Sequence, residues 1–287
     1  MPNCLFASDL HGDADRYTRL LDAIRRRRPA AVFLGGDLLP PGLGGPATLA
    51  WNTADFFDGF LLRHLSRLRS ELGAAYPRVF VIPGNDDHRS QEAAMLDLAA
   101  RGLWEYVHLR SVNWEDHTVA GYACIPPSPF QLKDWERYDV SRFVDPGCVS
   151  PEEGRRSVPA QADDVRYGTI ERDLERLLAG VPAERLIALF HAPPYNTALD
   201  RAALDGRVID HVPLDTHVGS LAIRRAIESL QPLLTLHGHV HEAPRLTGAW
   251  RVRIGRTHCL TAAHDGPELA LIEFDPRQPE SATRELL

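Results

Sequence analysis

The sequence has 287 residues, of which 44% are hydrophobic and 25% are charged, and its formal net charge is -7. A chain of this length forms one large domain or at most two, and this composition is sufficient for a sizeable buried core. The mild acidic balance argues against a constitutive nucleic-acid binder, because such proteins normally present a basic face.

Short apolar runs alternate with stretches of helical periodicity in the first hundred residues, a pattern typical of an α/β fold. Strands are predicted over residues 5–7, 31–34 and 79–82. The first predicted helix buries Tyr17, Leu20, Leu21 and Ile24 and ends before Pro29. The second begins at Asn52 or Thr53, buries Phe57, Leu61, Leu65, Leu68 and Leu72, and ends at Gly73. The third begins with a Ser90 cap and continues through Met95 and Leu98 to Gly102. The basic run Arg25–Arg28 falls in the last turn of the first helix, where cations complement the carbonyl end; a nucleic-acid patch is the alternative.

The same alternation continues in the second half of the chain. Further strands are predicted over residues 119–125, 186–190, 233–236 and within 251–274. One helix is predicted from Ile170, Leu174, Leu177 and Leu178, and another opens at Ser220 and continues through Ile223, Ile227 and Leu230. We expect a single domain over residues 1–287, since no internal repeat or low-complexity tail divides it.

A long insertion at about residues 126–165 interrupts this pattern with many Pro, Asp, Glu and Arg residues and little periodicity. Its larger and charged side chains include Lys133, Trp135, Arg137, Arg142 and Arg155. A stretch of this length inside a compact domain is typically functional or disordered. Either it covers the ligand crevice and contacts the part of the substrate that is not phosphate, or it packs on the surface without touching ligand.

The cysteines and the N-terminus bear on where the protein acts. The four cysteines lie far apart with no CxxC pair, which indicates a reducing compartment rather than a disulfide framework or a thiolate zinc site. No charged leader precedes an apolar stretch, and no run approaches the ~18 apolar residues of a membrane span. We therefore expect a cytoplasmic protein with no membrane partner.

Polar side chains follow five of the predicted strands at the point where each strand ends. In chain order they are Asp9 and His11, then Asp37, then Asn85 and Asp86, then His191, and finally His237, His239 and His241. The carboxyl ends of strands in open α/β sheets form the edge at which ligand crevices occur. The spacing thus predicts that these groups meet at one rim.

Carboxylate, carboxamide and imidazole ligands without a thiolate suit Mn, Fe, Zn, Ni or Co better than a cysteine-rich structural zinc site. Seven candidate ligands exceed what one ion holds but match two ions that share a bridging carboxylate. Two ions ~3.5–4 Å apart are a recurring device for phosphoryl hydrolysis. We therefore predict two divalent ions, manganese by preference, with Fe, Zn, Ni, Co or Mg as alternatives.

Taken together, Asp9-Leu10-His11, Gly36-Asp37, Gly84-Asn85-Asp86, His191 and Gly238-His239-Val240-His241 resemble the five blocks of the calcineurin-like metallophosphoesterases. The resemblance spans nearly the whole chain in the same order. It implies a four-layer αββα sandwich of two mixed β-sheets flanked by helices. It also implies a phosphoester hydrolase that acts on a small molecule with a metal-bound hydroxide as nucleophile.

The resemblance also implies a role for each of these residues. Three side chains would hold the first metal, namely Asp9, His11 and His241. Asn85, His191 and His239 would complete the second, with Asp37 bridging. The glycines near these blocks would let the backbone approach the ions.

One block departs from the family pattern, in which a histidine usually follows the asparagine, contacts the phosphate and protonates the leaving group. Asp86 stands there instead, and a carboxylate beside two dications should have a lowered pKa and be a poor proton donor. Relatives without this histidine resemble phosphodiesterases, so a phosphodiester is the expected substrate. Either good leaving groups are preferred, or another acid such as His217 or His88 takes part. His217 precedes a helix start, where N-terminal capping or phosphate contact are equally open.

Several other interpretations remain open from the sequence. Each histidine could be a core or surface residue; His237 and His64 are expected to be structural, since both lie on the wrong side of their elements. The same metals could serve a phosphomonoesterase, pyrophosphohydrolase or nuclease. A non-catalytic interaction module, or a regulatory protein that binds a nucleotide without turnover, are further alternatives, and the oligomeric state is not predicted.

Overall fold

The structure of the protein, a computed structural model, describes residues 3–40 and 56–287. Its strands are β1 (Cys4–Ala7), β2 (Ala31–Gly35), β3 (Arg78–Ile82), β4 (Glu105–Tyr106), β5 (Arg110–Trp114), β6 (His117–Tyr122), β7 (Leu186–Phe190), β8 (Val208–Ile209), β9 (Val212–Pro213), β10 (Leu234–His237), β11 (Arg251–Ile254), β12 (Thr257–Thr261), β13 (Ala270–Asp275) and β14 (Gln278–Leu286). Its α-helices in the described ranges are α1 (Ala14–Arg27), α2 (Arg63–Leu72), α3 (Glu92–Ala100), α4 (Ala162–Tyr167), α5 (Ile170–Leu177), α6 (Leu221–Leu230) and α7 (Ala243–Thr247).

The strands form two mixed six-stranded sheets and a separate β8–β9 hairpin. The first sheet has the order β14-β13-β1-β2-β3-β4, and the second has the order β11-β12-β10-β7-β6-β5. In each sheet four consecutive strands are parallel, and the remaining strands join them antiparallel at the edges. Helices flank the pair, so the predicted α/β sandwich is confirmed.

Side chains of the first sheet alternate between two cores. Phe6, Phe33 and Phe80 face the second sheet and pack in one cluster with residues of β7 and β10. Leu5 and Val32 point the other way, into a cluster that holds the buried faces of α1 and α2. Strands buried on both faces have the continuous apolar runs seen in the sequence, and their parallel pairing brings their carboxyl ends to a common edge.

Helix α1 shows how the sequence fixes an element. The Asp13 carboxylate accepts hydrogen bonds from the backbone N–H groups of Asp15 and Arg16, and Arg28 ends the helix in a left-handed conformation. The basic run in its last turn forms ion pairs, from Arg25 to Asp22 and Glu71 and from Arg27 to Glu273 and Glu285. Arg25 and Arg27 are therefore partnered within the chain, and the basic run lies at the helix end as predicted.

The second and third predicted helices differ from expectation in part. The predicted start at Asn52 or Thr53 lies outside the described residues; Phe56–Leu62 is π-helical, and α2 continues to Leu72 and ends at Gly73 as predicted. The predicted cap of α3 is wrong. Gln91 stands at the cap position without a side-chain hydrogen bond, while the Ser90 N–H donates to Ser157 Oγ because the chain there is tied to the insertion.

The insertion at 126–165 is ordered rather than structureless. Short bridges link Ile125 to Glu136 and Leu132 to Arg155, and α4 closes its far end. Trp135 is buried and donates a hydrogen bond to the Asp87 carbonyl at 2.5 Å. This contact fixes the insertion against the loop that follows β3. Within the described ranges, no helix has the length and apolar character needed to cross a bilayer.

Candidate metal centre

The sequence-predicted ligands lie where the parallel strands end. Asp9 and His11 follow β1, Asp37 follows β2, and Asn85 follows β3, all in the first sheet. His191 follows β7 and His239 and His241 follow β10, both neighbours in the second sheet. Because both sheets present the carboxyl ends of parallel strands at this place, residues from distant parts of the sequence meet in one site.

A first group of side chains is formed by Asp9, His11, Asp37 and His241. One ligand atom from each lies within 4.8 Å of all the others. His241 Nε2 is 3.2 Å from Asp9 Oδ1 and 3.2 Å from His11 Nε2. Two imidazole nitrogens and two carboxylates at this spacing can bind one divalent ion.

A second group lies beside the first and shares Asp37 with it. His191 Nε2 is 3.0 Å from Asn85 Oδ1 and 3.4 Å from Asp37 Oδ2. The rings of His191 and His239 are 5.3 Å apart between centroids. Asp37 is therefore within reach of both groups, which is the position that a bridging carboxylate needs.

The backbone at this site is strained. Asp9, His11, Asp37 and His239 all have positive φ angles, of 58°, 47°, 52° and 74°. Residues with a Cβ rarely adopt this conformation, and clusters of such residues occur at functional sites. Backbone hydrogen bonds hold the strained turns, from Asp9 N to the Gly36 carbonyl at 2.9 Å and from His11 N to the Asp37 carbonyl at 2.8 Å.

Two glycines make room for the ligands. A Cβ at Gly84 would collide with Asp37 Oδ1 and the His191 ring, and a Cβ at Gly238 would lie 2.7 Å from Asp9 Oδ2. Any side chain at either position would displace a candidate ligand. These glycines are thus needed for close approach of backbone to the ligand side chains.

Comparison with known proteins identifies the family that shares this arrangement. Residues 3–243, most of the chain, match the family of calcineurin-like phosphoesterases. The chain is a calcineurin-like phosphoesterase. It is therefore a metal-dependent phosphoester hydrolase, from a family whose centre is dinuclear. No curated protein matches the sequence.

Solved structures share the fold over nearly their whole length. A protein of Thermus thermophilus has a TM-score of 0.55 and 18% identity, over 99% of this chain and 98% of that chain. Phosphopantetheinyl hydrolase from Mycobacterium tuberculosis has a TM-score of 0.52 and 11% identity, over 92% of this chain and 90% of that chain. A dimetal phosphatase from Danio rerio has a TM-score of 0.50 and 16% identity, over 94% of this chain and 91% of that chain. At these identities the likeness establishes the fold.

The donor set of this phosphoesterase fits the two divalent ions of its family. Oxygen and imidazole nitrogen are the ligand types offered, and the four closest donors lie within reach of one ion. The glycines at 84 and 238 leave the donor atoms accessible to one another. The residues present are thus chemically suited to the ions that the family requires.

Charge is distributed unevenly among the histidines of the site. Burial of His191 disfavours its charged form, but the charge of Asp37 outweighs this effect and raises the pKa of His191 to about 9. Burial of Asp37 likewise disfavours its charged form, but the charge of His191 outweighs this effect and lowers the pKa of Asp37 to about 2. Burial lowers the pKa of His239 to about 3, so its ring is neutral and can offer a lone pair. A metal ion must displace a proton from His191 but not from His239.

Asp87 supports the site and was not identified from the sequence. Its buried carboxylate accepts hydrogen bonds from Leu38 N at 3.0 Å, Leu39 N at 2.8 Å and Gly84 N at 2.8 Å. It therefore joins the loop after β2 to the loop after β3 and fixes Asp37 relative to Asn85. In sequence it is one more acidic residue in a turn, and only the three converging N–H groups distinguish it.

Asp86 lies at the edge of the site with 43% of its side chain exposed. Its N–H donates to Asp37 Oδ1 at 2.8 Å, and its Oδ1 accepts from Asn85 Nδ2 at 3.0 Å. The charge of Asp37 and partial burial raise its pKa to about 6. Bound dications would act in the opposite direction, so the lowered pKa expected from the sequence depends on them and stays a prediction.

His217 does not cap the following helix, because Ser220 Oγ accepts from Ile223 N and occupies the cap of α6. Its Nδ1 instead lies 2.8 Å from Oδ1 of the buried Asp200. The ring stands in the wall of a cavity that His239 also lines. Of the two sequence interpretations, capping is wrong, and contact with substrate stays a prediction.

The remaining histidines are placed as follows. His237 is buried, with Nδ1 2.8 Å from the Ala192 carbonyl and Nε2 2.8 Å from Thr235 Oγ1, so its expected structural role is confirmed. His64 stacks on Phe60 in the helical segment before α2, which confirms the same expectation for it. His88 precedes the short 3-10 turn Arg89–Gln91, beside the loop of Asn85.

Proposed function

We propose that this phosphoesterase hydrolyses small organic phosphodiesters at a centre of two divalent ions, manganese by preference. The observation that carries the proposal is the sharing of Asp37 between two groups of ligand atoms. One group offers two imidazoles and two carboxylates, and the other adds Asn85, His191 and His239. An arrangement of this kind suits two neighbouring cations better than one.

In this proposal Asp9, His11 and His241 hold the first ion, Asn85, His191 and His239 hold the second, and Asp37 contacts both. When bound, the ions activate water and offset charge on the phosphate oxygens. The carbonyl of Gly35 lies 2.8 Å from His191 Nδ1, which orients the ring so that Nε2 faces Asn85. The Asp87 carboxylate keeps the two loops of the first sheet at a fixed spacing.

The preference for diesters rests on Asp86. A carboxylate at this place repels the second negative charge of a monoester dianion and leaves the single charge of a diester less affected. Its partly exposed position also lets the second organic group of a diester pass beside it. The phosphomonoesterase, pyrophosphohydrolase and nuclease alternatives use the same ligands and differ in the charge and size of what they admit.

We further propose His217 as the group that gives a proton to poor leaving groups. Asp200 accepts hydrogen bonds from Asn196 N, Thr197 N and Gly219 N and holds the Nδ1 side of His217, so Nε2 is the nitrogen left for substrate. The His217→Gln variant should lose far more rate on an alkyl ester than on an aryl ester. Equal losses on both would remove His217 from this role, and the same comparison with His88→Gln tests the other candidate acid.

The activity test is a chelation experiment with two model substrates. After removal of metals and re-addition of Mn, Mg, Ni or Zn singly, hydrolysis of bis(4-nitrophenyl) phosphate and of 4-nitrophenyl phosphate is compared. We expect no activity without metal, the highest activity with manganese, and faster hydrolysis of the diester. Faster hydrolysis of the monoester would favour a phosphomonoesterase, and an inert protein with full metal occupancy would favour a non-catalytic module.

We also propose a single domain over residues 1–287 that acts in the cytoplasm. The two sheets share one continuous core, which supports the first part. The four cysteines are free, and Cys4, Cys124 and Cys259 are buried as unpaired thiols, which supports a reducing compartment.

A further inference from the structure

A cavity of about 590 Å³ lies beside the candidate metal centre. Two chain segments form its walls, residues 126–148 of the insertion and residues 195–221 before α6, and His239 and Val240 close its inner end. The size is within the range of small-molecule sites, ~300–1,000 Å³. Because His239 belongs to the second group of ligands and also lines the cavity, the cavity adjoins the candidate metal centre.

Large hydrophobic side chains surround the mouth of the cavity in contact with solvent. Phe143 is 69% exposed, Phe130 is 54% exposed, and Ile209 of the β8–β9 hairpin is also exposed. Val140 and Leu214 continue this apolar surface inward. Contiguous apolar surface left in water is unfavourable, and on a monomeric protein it marks a binding site.

The charged side chains of the walls are mainly carboxylates, and the imidazoles of His217 and His239 lie beside them. Asp145, Asp215 and Glu242 line the cavity, and no Lys or Arg is found among the described residues that line it. Asp139 also lies in the wall, but its carboxylate is used by Ser220 Oγ and by the N–H groups of Leu221 and Ala222. A second anionic group on a ligand would therefore meet repulsion from Asp145, Asp215 and Glu242 and find no Lys or Arg among the described lining residues.

Asp145 and Asp215 lie close enough to influence one another. Partial burial and the charge of Asp215 raise the pKa of Asp145. Asp215 accepts hydrogen bonds from Tyr195 Oη at 2.5 Å and from His217 N at 2.8 Å, which fixes its position near the proposed proton donor. The Asp215 carboxylate is thus held in the cavity wall beside His217.

We propose that this cavity selects the organic group of the phosphodiester, and that this group is apolar and carries no negative charge. The inference rests on the proposed function and adds the substrate class to it. It explains why the insertion is ordered against the loop after β3: one face of the insertion forms the wall that contacts the substrate. Of the two interpretations of residues 126–165 left open by the sequence, it favours contact with ligand.

Symmetrical diesters test the proposal, because the same group enters the cavity in either orientation. Diphenyl phosphate is compared with bis(4-carboxyphenyl) phosphate on the manganese-loaded enzyme. The carboxylate does not impair the phenolate as a leaving group, so any loss reports on binding. We expect kcat/KM to be lower by at least about tenfold for the carboxylated diester, mainly through KM, because like charges oppose one another.

Two exposed positions allow variants that should fold normally. Asp145→Lys should raise kcat/KM for the carboxylated diester and leave the ratio of metal to protein unchanged. The matched control is Glu175→Lys, the same charge change on an exposed face of α5 that does not line the cavity. Phe143→Ser should raise KM for diphenyl phosphate by about two- to fourfold, equivalent to the loss of up to about one buried CH₂ group, whereas Tyr167→Ser should not.

A titration followed by NMR gives a readout that is independent of turnover. Benzyl alcohol and benzoate are added separately to the metal-free protein, and shifts are expected for the alcohol at residues of the cavity and not for benzoate. Asp145→Lys should bring benzoate into the cavity. Equal binding of the two, or shifts confined to other surfaces, would overturn the inference.

The two proposals fail in different ways. Equal kcat/KM for both diesters would overturn the cavity inference and leave the proposed function intact. No hydrolysis of either diester with metal bound would overturn the proposed function and the clause that rests on it. The titration then decides whether the cavity accepts uncharged apolar groups at all.

Discussion

Asp37 is the residue on which the proposed chemistry depends most. One of its carboxylate oxygens lies within 4.8 Å of a ligand atom of each other residue in the first group. Its Oδ2 is 3.4 Å from His191 Nε2, and its Oδ1 accepts a hydrogen bond from Asp86 N. A side chain in contact with two ions cannot be replaced by a neutral amide without weakening both sites.

The first prediction concerns that residue. In Asp37→Asn we expect the bound metal to fall below two ions per chain and kcat for a diester to fall by at least about 100-fold, since the shared ligand is lost. Elemental analysis and steady-state kinetics measure both. Asp116→Asn, in the exposed turn between β5 and β6, is the control and should match the wild type. Full metal content with normal kcat in Asp37→Asn would show that the ligand set is wrong.

The second prediction concerns Asp87, whose carboxylate accepts hydrogen bonds from three backbone N–H groups. In Asp87→Asn the side-chain NH₂ group faces at least one of these backbone N–H groups, and two donors cannot hydrogen-bond to each other. The loops after β2 and β3 should therefore separate slightly. Metal affinity should fall by about 10- to 100-fold, as for other residues that orient ligands. A metal-binding titration measures this, and an unchanged Kd would remove Asp87 from the support of the site.

Residue identity at the metal centre could be predicted because each ligand follows a recognisable apolar strand. Asp87 and Asp200 could not be, because a carboxylate that accepts backbone N–H groups in a turn has no distinct sequence pattern. Their partners, such as Leu38 N and Gly219 N, are set by the tertiary fold and are not visible in the chain order.

At the scale of elements, the strands predicted with the clearest bounds are those buried on both faces. Strands β1, β2 and β7 are apolar along their whole length, and β3 is apolar after Arg78, because helices cover one side and the other sheet covers the other. Strands β5 and β14 were missed. Both lie at sheet edges and are largely exposed, so their residues lack an apolar run, and their pairing depends on the neighbouring strand.

The junction between the insertion and α6 provides a prediction at this scale. Ser220 Oγ accepts from Ile223 N and donates to Asp139 Oδ1, which joins the helix cap to residues 126–165. Ser220→Ala should lower the free energy of unfolding by about 0.5–2 kcal/mol through loss of the cap. Urea denaturation measures the change. Ser66→Ala on the exposed side of α2 is the control, and an equal effect of the two would contradict the capping role.

At the scale of the molecule, stability should depend on pH through a buried histidine that is not a candidate metal ligand. His108 is buried and its Nδ1 accepts from Ala123 N at 2.9 Å. Burial and the charges of Arg89 and Arg137 lower its pKa from 6.5 to about 3. Because the folded-state value lies below the unfolded one, the stabilisation is complete above pH 6.5 and is lost as pH falls toward 3.

This gives the fourth prediction. Between pH 6.5 and 4, His108 should contribute a decrease in the free energy of unfolding of up to about 1.4 kcal/mol per pH unit. His108→Gln keeps an acceptor for Ala123 N and should make the dependence shallower. His211→Asn, at an exposed residue with positive φ that Asn tolerates, should leave it unchanged. An identical slope in wild type and His108→Gln would refute the assignment.

The whole molecule is arranged so that two sheets deliver their strand ends to one place. The α/β class could be predicted from the apolar pattern, and the two-sheet sandwich from the resemblance of the five ligand blocks to the family, whereas the cavity could not, because its walls come mainly from two segments without periodicity. Only the packing of residues 126–148 against residues 195–221 creates it.

The most direct test of the account is a crystal structure of the manganese-loaded protein with anomalous diffraction at the manganese edge. We expect two anomalous peaks about 3.5–4 Å apart, both in contact with Asp37, one beside Asp9, His11 and His241 and the other beside Asn85, His191 and His239. A single peak, or two peaks that do not share Asp37, would contradict the dinuclear centre on which the proposed hydrolysis depends.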